Sequence, residues 1–350
     1  MAGSADATLG TTGIKTTEYD YYSEEPISLC IKSDIIQFGA SLVPTFLLLV
    51  FVYSLLGNGL ILALLLKYEK VKTVTNLFIL NLVVSDLLFA ASLPFWAVYH
   101  RSEWIFGDAM CKLMTAIYYI GFYSCVLFLT LMSVDRYLAV VHVVSAARTR
   151  SVGYATVASL IVWGISFLST LPKIFIYGTR QDSSVGTVCA ETGYDEEHIK
   201  TWKMVGYCQQ LVLFFLIPLV IILYCYVLIV AKLFRARMHD KFKAVKLIFL
   251  IVLVFFVCWT PYNVVVFIKM LPVSAPNTCN KGLDYAFYIC RCLAYFHCCT
   301  NPIFYTFVGT KFRRHLAVLL GHRLSCRPSS TRSSSSSKFS EHSPQTLYEY

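Results

Sequence analysis

The sequence predicts an all-α membrane protein: a seven-transmembrane helix bundle with a short amphipathic helix on the inner leaflet after the seventh span. Three observations predict it. Of the 350 residues, 57% are hydrophobic and only 14% charged, whereas a water-soluble chain carries about 25% charged residues. Apolar runs of about 20 residues or more, enough to cross the hydrocarbon, recur seven times along the chain. The basic residues collect in alternate gaps between those runs, so the net charge of +10 marks membrane topology. It does not form the clustered basic face that a nucleic-acid partner requires.

The runs fall in order. The first, 37–66, follows an acidic, tyrosine-rich segment (1–36) without the basic and apolar regions of a secretory signal; the first span itself is expected to anchor an exported N-terminus. The second, 74–100, carries Asp86 in its middle and Pro94. An intramembrane carboxylate faces the bundle interior or water and is a functional candidate, with Asn58 and Asn301 as its expected neighbours. The third, 109–141, ends on the adjacent acid and base Asp135 and Arg136. The fourth (152–177), fifth (201–234), sixth (243–271) and seventh (283–308) contain Pro172, Pro218, Pro261 and Pro302. Each proline removes a backbone hydrogen bond and kinks its helix, so five across the bundle point to a body built to flex.

Orientation follows from lysine and arginine. One set of gaps holds Lys67, Lys70 and Lys72, then Arg148 and Arg150, then Lys232 to Lys246, then Lys311, Arg313 and Arg314. The opposite set is acidic, with Asp182, Glu191, Asp195, Glu196 and Glu197 in one gap. The positive-inside rule places the N-terminus outside and the C-terminus in the cytoplasm. Residues 309–322 read as the amphipathic helix on the inner leaflet, in contact with lipid. The Ser-rich tail, 323–350, reads as disordered and as a phosphorylation array. Cys326 is a palmitoylation candidate.

Four of the 13 cysteines, Cys30, Cys111, Cys189 and Cys279, fall on the outer, oxidising side. Two disulfides are expected there, with three connectivities open. The other cysteines, including the pair in "HCC" at 297–299, read as small packing residues, and no metal site is expected. No internal repeat, no Schiff-base lysine in the seventh span and no catalytic set is present. Those absences argue against a transporter, an opsin and an intramembrane enzyme.

Together, "DRY" closing the third span, "CWTPYN" at 258–263 and "NPIFY" at 301–305 resemble the rhodopsin-like class of G-protein-coupled receptors. The resemblance implies a multi-pass location in the plasma membrane, and that Asp135 restrains Arg136 at rest. On activation Arg136, flanked by Tyr137, would reach a heterotrimeric G protein. Trp259 would pivot under the ligand pocket, and Tyr226, Asn301, Pro302 and Tyr305 would rearrange. It implies no cofactor, but a polar pocket of Asn58, Asp86 and Asn301 that holds an allosteric Na+. Cys125 stands where that pocket often has a serine.

"SLPFWA" at 92–97, "DRYLAVVH" at 135–142 and "HCCTNPIFYTFVGTKFRRHL" at 297–316 are similar to the chemokine receptors. That likeness implies Cys111–Cys189 and Cys30–Cys279 disulfides, arrestin and receptor kinases at the tail, and chemotactic and calcium signalling through inhibitory G proteins. "ICR" at 289–291 resembles the XC-type member, where many relatives carry Glu in place of Arg291; a CC-type receptor and a non-signalling scavenger are the alternatives.

The ligand side is legible physically. "TEYDYYSEE" (17–25) interleaves Tyr19, Tyr21 and Tyr22 with acids. Sulfation would add charge, and such an arm would steer a small basic chemokine by long-range attraction. Inside the bundle, Trp96, Tyr118, Tyr119, Gln210, Trp259, Tyr262, Tyr288 and Arg291 are expected to line a pocket for the ligand's flexible end. Arg291 at that depth needs a partner.

Overall fold

The structure, a computed structural model, describes residues 33–68, 73–182, 186–193, 195–236, 239–271, 281–307 and Leu316. Helix α1 spans Ser33–Tyr68, α2 Val74–Arg101, α3 Gly107–Val141, α4 Val143–Thr149 and α5 Val152–Ile176. A hairpin follows, β1 Tyr177–Asp182 against β2 Gly186–Glu191, then α6 Glu196–Leu211. A π-helical turn, Val212–Leu216, joins α6 to α7 (Ile217–Ala236). The chain ends its described part with α8 His239–Met270, α9 Lys281–Tyr295 and α10 His297–Phe307. Six helices among the described residues are long and apolar enough to cross a membrane: α1, α2, α3, α5, α6 running into α7, and α8. The seventh expected span is split instead, with a turn at Phe296 between α9 and α10.

Local chemistry sets the starts of the helices. Thr73 caps α2 by accepting from the Asn76 amide at 3.2 Å. Ser151 caps α5 by accepting from the Tyr154 amide at 3.2 Å. Asp195 caps α6 by accepting from the His198 amide at 2.7 Å. Each satisfies one of the amides that a first turn leaves open. Helix α3 starts differently. Gly107 sits at φ +79°, a left-handed conformation open to glycine, and its carbonyl accepts from the Trp104 indole at 2.8 Å.

The prolines act where their geometry demands. Pro44 stands inside α1 with Pro94, Pro172, Pro261 and Pro302 in their helices, a position the sequence reading did not single out. Pro218 follows directly on the π-helical turn, where the Ile217 amide donates to the Val212 carbonyl. A proline has no amide and its ring crowds the carbonyl four residues back, so the chain widens there by one residue. Pro302 leaves the Cys298 carbonyl without its helical donor. Asn58, from α1, donates to that carbonyl at 2.9 Å and to Ser54 Oγ at 3.0 Å.

Packing is inverted relative to a water-soluble protein. The outward faces of α1, α5 and α7 are apolar, as Leu56, Leu160, Phe175 and Val227 show, while Asn58, Asp86, Ser124 and Asn301 are buried between helices. A bilayer rewards this arrangement, since polar groups there find partners only inside the protein. Helices α2 and α3 approach closely at Gly121, where a Cβ would come within 2.6 Å of the Phe89 backbone nitrogen. The hairpin is tied down by the Cys111–Cys189 disulfide, which closes a sequence separation of 78 with Cα atoms 5.6 Å apart. Around it pack Trp104, Met114 and Tyr177.

Several expectations lie outside the described residues: the N-terminal segment with Tyr19, Tyr21 and Tyr22, Cys30 and Cys279, Cys326 and the tail, and all of 309–322 but Leu316.

Candidate functional site

A cavity of about 190 Å³ opens at the hairpin end of the bundle. Its walls come from α2, α3, both strands, α6, α8 and α9. Of the residues expected to line it, Trp96, Tyr118, Tyr119, Tyr262 and Arg291 do. Gln210, Trp259 and Tyr288 do not, and the helix phase explains two of them. Trp259 is buried one layer deeper, its ring 5.8 Å from that of Tyr262. Tyr288 turns toward α1, where a Cβ on Gly39 would meet its ring at 2.7 Å. Gln210 is buried in the last turn of α6 before the π-helical segment, away from the cavity.

The cavity is bipolar. Arg291 lies 5.4 Å from the rings of both Phe287 and Tyr288, and its Nε and Nη2 are buried without a hydrogen-bond partner. The acid on the same cavity is Glu191 of β2, which accepts from the Tyr177 hydroxyl at 2.9 Å. Burial pushes the Tyr177 phenol well above its ordinary range, which keeps it a proton donor to that carboxylate. Sequence reasoning counted Glu191 only as outer-loop charge. The disulfide at Cys189, two residues earlier, is the signal that aims this strand into the bundle.

Beneath the cavity, Tyr118 donates to the Tyr295 hydroxyl at 3.2 Å. The Trp259 ring, fully buried, stands 4.1 Å from Phe122 and 5.5 Å from His297. Next come the polar residues expected around Asp86. Asn301 donates to Asp86 Oδ2 at 2.6 Å. The Asn58 amide nitrogen is engaged by Ser54 and the Cys298 carbonyl, while its Oδ1 is buried without a hydrogen-bond partner. Pro302 frees that carbonyl for the Asn58 nitrogen.

The opposite end holds the acid and base of α3. Asp135 is 2% exposed and takes a bidentate pair from Arg150, Nε to Oδ1 at 2.8 Å and Nη2 to Oδ2 at 2.9 Å. Arg136 is the weaker partner at 3.5 Å. Both arginines also donate to Thr75 Oγ1 of α2, Arg150 at 3.0 Å. Fork-shaped guanidinium pairs of this kind are the stronger ones. The sequence reading named Asp135 and Arg136; Arg150 was read only as topological charge and Thr75 not at all. Tyr137 turns to His142, its hydroxyl 2.9 Å from Nε2. Tyr226 packs edge-on against Phe249 of α8 with ring centroids 5.0 Å apart, and Tyr305 is 1% exposed.

Comparison with known proteins places these features in a family. The profile described as "7 transmembrane receptor (rhodopsin family)" matches residues 57–305. The chain is 40% identical over 321 residues to the C-C chemokine receptor type 3 of Cavia porcellus, covering 91% of this chain and 88% of that one. It is 38% identical over 313 residues to the human C-C chemokine receptor type 1 (88% and 87% covered) and 40% over 304 residues to the human C-C chemokine receptor type 4 (86% and 84%). The closeness to the XC-type receptor expected from "ICR" at 289–291 finds no support in these relatives, which are of CC type.

Proposed function

The chain belongs to the rhodopsin family of 7 transmembrane receptors, and we propose that it is a cell-surface receptor for a small basic chemokine. Its N-terminus is extracellular and it signals through heterotrimeric G proteins of the inhibitory class. The observation that carries this reading is the bipolar aromatic cavity under a disulfide-anchored hairpin. Disulfides persist on the oxidising side of a membrane, which supports an extracellular hairpin end. Glu191 offers an anion to a ligand's amino terminus and Arg291 a cation to a carboxylate. Guanidinium nitrogens buried without hydrogen-bond partners are costly until such a group arrives.

Activation is a shift of population. The chemokine binds the active arrangement better than the resting one, and by no more than that difference it moves α8 outward at Pro261. The Asp135–Arg150–Arg136–Thr75 cluster then opens, and Arg136 engages the G protein. Receptor kinases and arrestin act on the Ser-rich tail, and Na+ near Asp86 tunes the resting state.

The relatives' names favour a CC chemokine. Arg291 is the observation that keeps an XC ligand as the second reading. The test is a chemokine panel on cells expressing the chain, read as cAMP suppression with and without pertussis toxin. Toxin-sensitive suppression by CC ligands is expected. A response to the XC ligand alone selects the second reading, and binding without any response identifies a scavenger.

A further inference from the structure

We propose that the cleft between α5 and α6, at the hairpin end of the bundle, binds a zwitterionic phospholipid of the phosphatidylcholine class. The phosphate pairs with Lys173, and the quaternary ammonium faces Glu191 and Trp202. The cleft encloses about 250 Å³ and has exposed apolar residues, Leu168, Val205 and Leu213, on its walls. It is distinct from the aromatic cavity, although Glu191 borders both. Its volume lies below the roughly 300–1,000 Å³ of small-molecule pockets, so it takes a head group and leaves the rest of the ligand outside.

Lys173 is the residue that asks for a ligand. It stands in the last turn of α5 and is only 5% exposed. Its ammonium lies 5.2 Å from the centre of the Tyr119 ring and 5.8 Å from that of Tyr177. Ring faces at such distances attract a cation but do not neutralise it. Among the described residues, no hydrogen bond or salt bridge does so either. A lysine within a membrane-spanning bundle needs an anionic partner or a route to water. The neighbouring helix makes room for this one: Gly206 of α6 faces it, and a Cβ there would collide with the ammonium.

The other walls select the ligand. Glu191 reaches the cleft from β2, with one carboxylate oxygen held by the Tyr177 hydroxyl at 2.9 Å. A simple anion on Lys173 would be repelled by that carboxylate, and a simple cation on Glu191 by the ammonium. A head group that carries both charges satisfies each. Its phosphate oxygens accept from the ammonium. Its quaternary ammonium is attracted to the carboxylate and to the indole of Trp202, which is fixed by donating to His198 Nε2 at 2.8 Å. The depth fits as well. Gln209 donates to the Ser169 carbonyl at 2.9 Å and so bridges the two helices, four residues or about 6 Å inward of Lys173 along α5. At that level Leu168 and Leu213, both exposed, extend the cleft as an apolar track for an acyl chain. A tryptophan beside the charged group and aliphatic side chains below it is the order in which a bilayer itself is layered. On the orientation given above, the hairpin end faces outward and the lipid belongs to the outer leaflet.

The test uses the purified full chain without chemokine, so its outcome is independent of the receptor reading. The probe is phosphatidylcholine with a diazirine in its acyl chain near the glycerol, diluted into nanodiscs of phosphatidylglycerol. After photolysis, adducts mapped by tandem mass spectrometry should concentrate in residues 168–176 and 202–213 and be displaced by excess unlabelled phosphatidylcholine. The same diazirine on phosphatidylglycerol should label the cleft several-fold less. Lys173→Gln should cut cleft labelling about tenfold, the effect of losing one charge-assisted contact, while Lys173→Arg keeps most of it. Thermal unfolding checks that each variant is folded, and the map on the unmodified chain needs no variant. Adducts spread evenly over the lipid-facing helices overturn the proposal. So does cleft labelling that survives Lys173→Gln, or equal labelling by the two head groups.

Discussion

At the hairpin end, Arg291 borders a cavity with two of its nitrogens unpartnered. At the opposite end, Asp135 is gripped by Arg150 through two hydrogen bonds and approached by Arg136 at 3.5 Å. Both ends bury charge: Arg291 leaves two guanidinium nitrogens unpartnered, whereas the Asp135 carboxylate is satisfied on both oxygens by Arg150 and Arg136 keeps only its Nε unpartnered. An unsatisfied buried cation is a standing demand for a ligand group. A satisfied ion cluster is a restraint that holds until something better competes for its members. On the proposed reading, the difference puts binding at one end and holding at the other.

Six variants break or sharpen that contrast, in falling order of effect. Arg136→Ala should abolish G-protein activation while leaving chemokine binding measurable in radioligand assays; lost binding would mean that the two ends do not divide the work. Cys111→Ser should unseat β2 and with it Glu191, since removing a native disulfide typically costs about 2–5 kcal/mol. Surface display and chemokine binding should both fall steeply in flow cytometry.

Asp135→Asn should raise basal signalling several-fold in a cAMP assay. Breaking a buried ion pair costs about 3–5 kcal/mol, and 1.4 kcal/mol already shifts a two-state population tenfold. Arg150→Ala sharpens the point: a smaller rise in basal signalling is expected, and no rise would reduce Arg150 to a topological charge. At the cavity, Arg291→Glu should weaken chemokine potency about 30-fold or more, in keeping with about 2–5 kcal/mol for removing one partner of a buried charge contact, with basal signalling unchanged. Replacing Tyr19, Tyr21 and Tyr22 together by Phe should have the smallest effect. A few-fold slower association at low salt, vanishing at high salt, is expected by surface plasmon resonance.

Much of the architecture was legible because its signals are local. Apolar length marks each helix, and Thr73, Ser151 and Asp195 announce three helix starts. What stayed hidden depends on helix phase and on contacts far apart in sequence. The turn at Phe296 splits a run that reads as one apolar span. Trp259 and Tyr288 have the right composition for the cavity but face a deeper layer and α1. Glu191 reads as loop charge until the disulfide folds its strand over the bundle.

By itself, then, the sequence determined that this is a helical membrane protein, which gaps are basic, and where the acid and base of α3 stand. Hydropathy and charge act within about 20 residues, so they can be read along the chain. Only the tertiary structure decided who meets whom: Arg150 at Asp135, Asn58 at the carbonyl that Pro302 frees, Glu191 in one cavity with Arg291, and Asp86 with Cys125 and His297. Those meetings follow from the rotation and depth of each helix, which the summed packing of the whole bundle sets and no single segment contains.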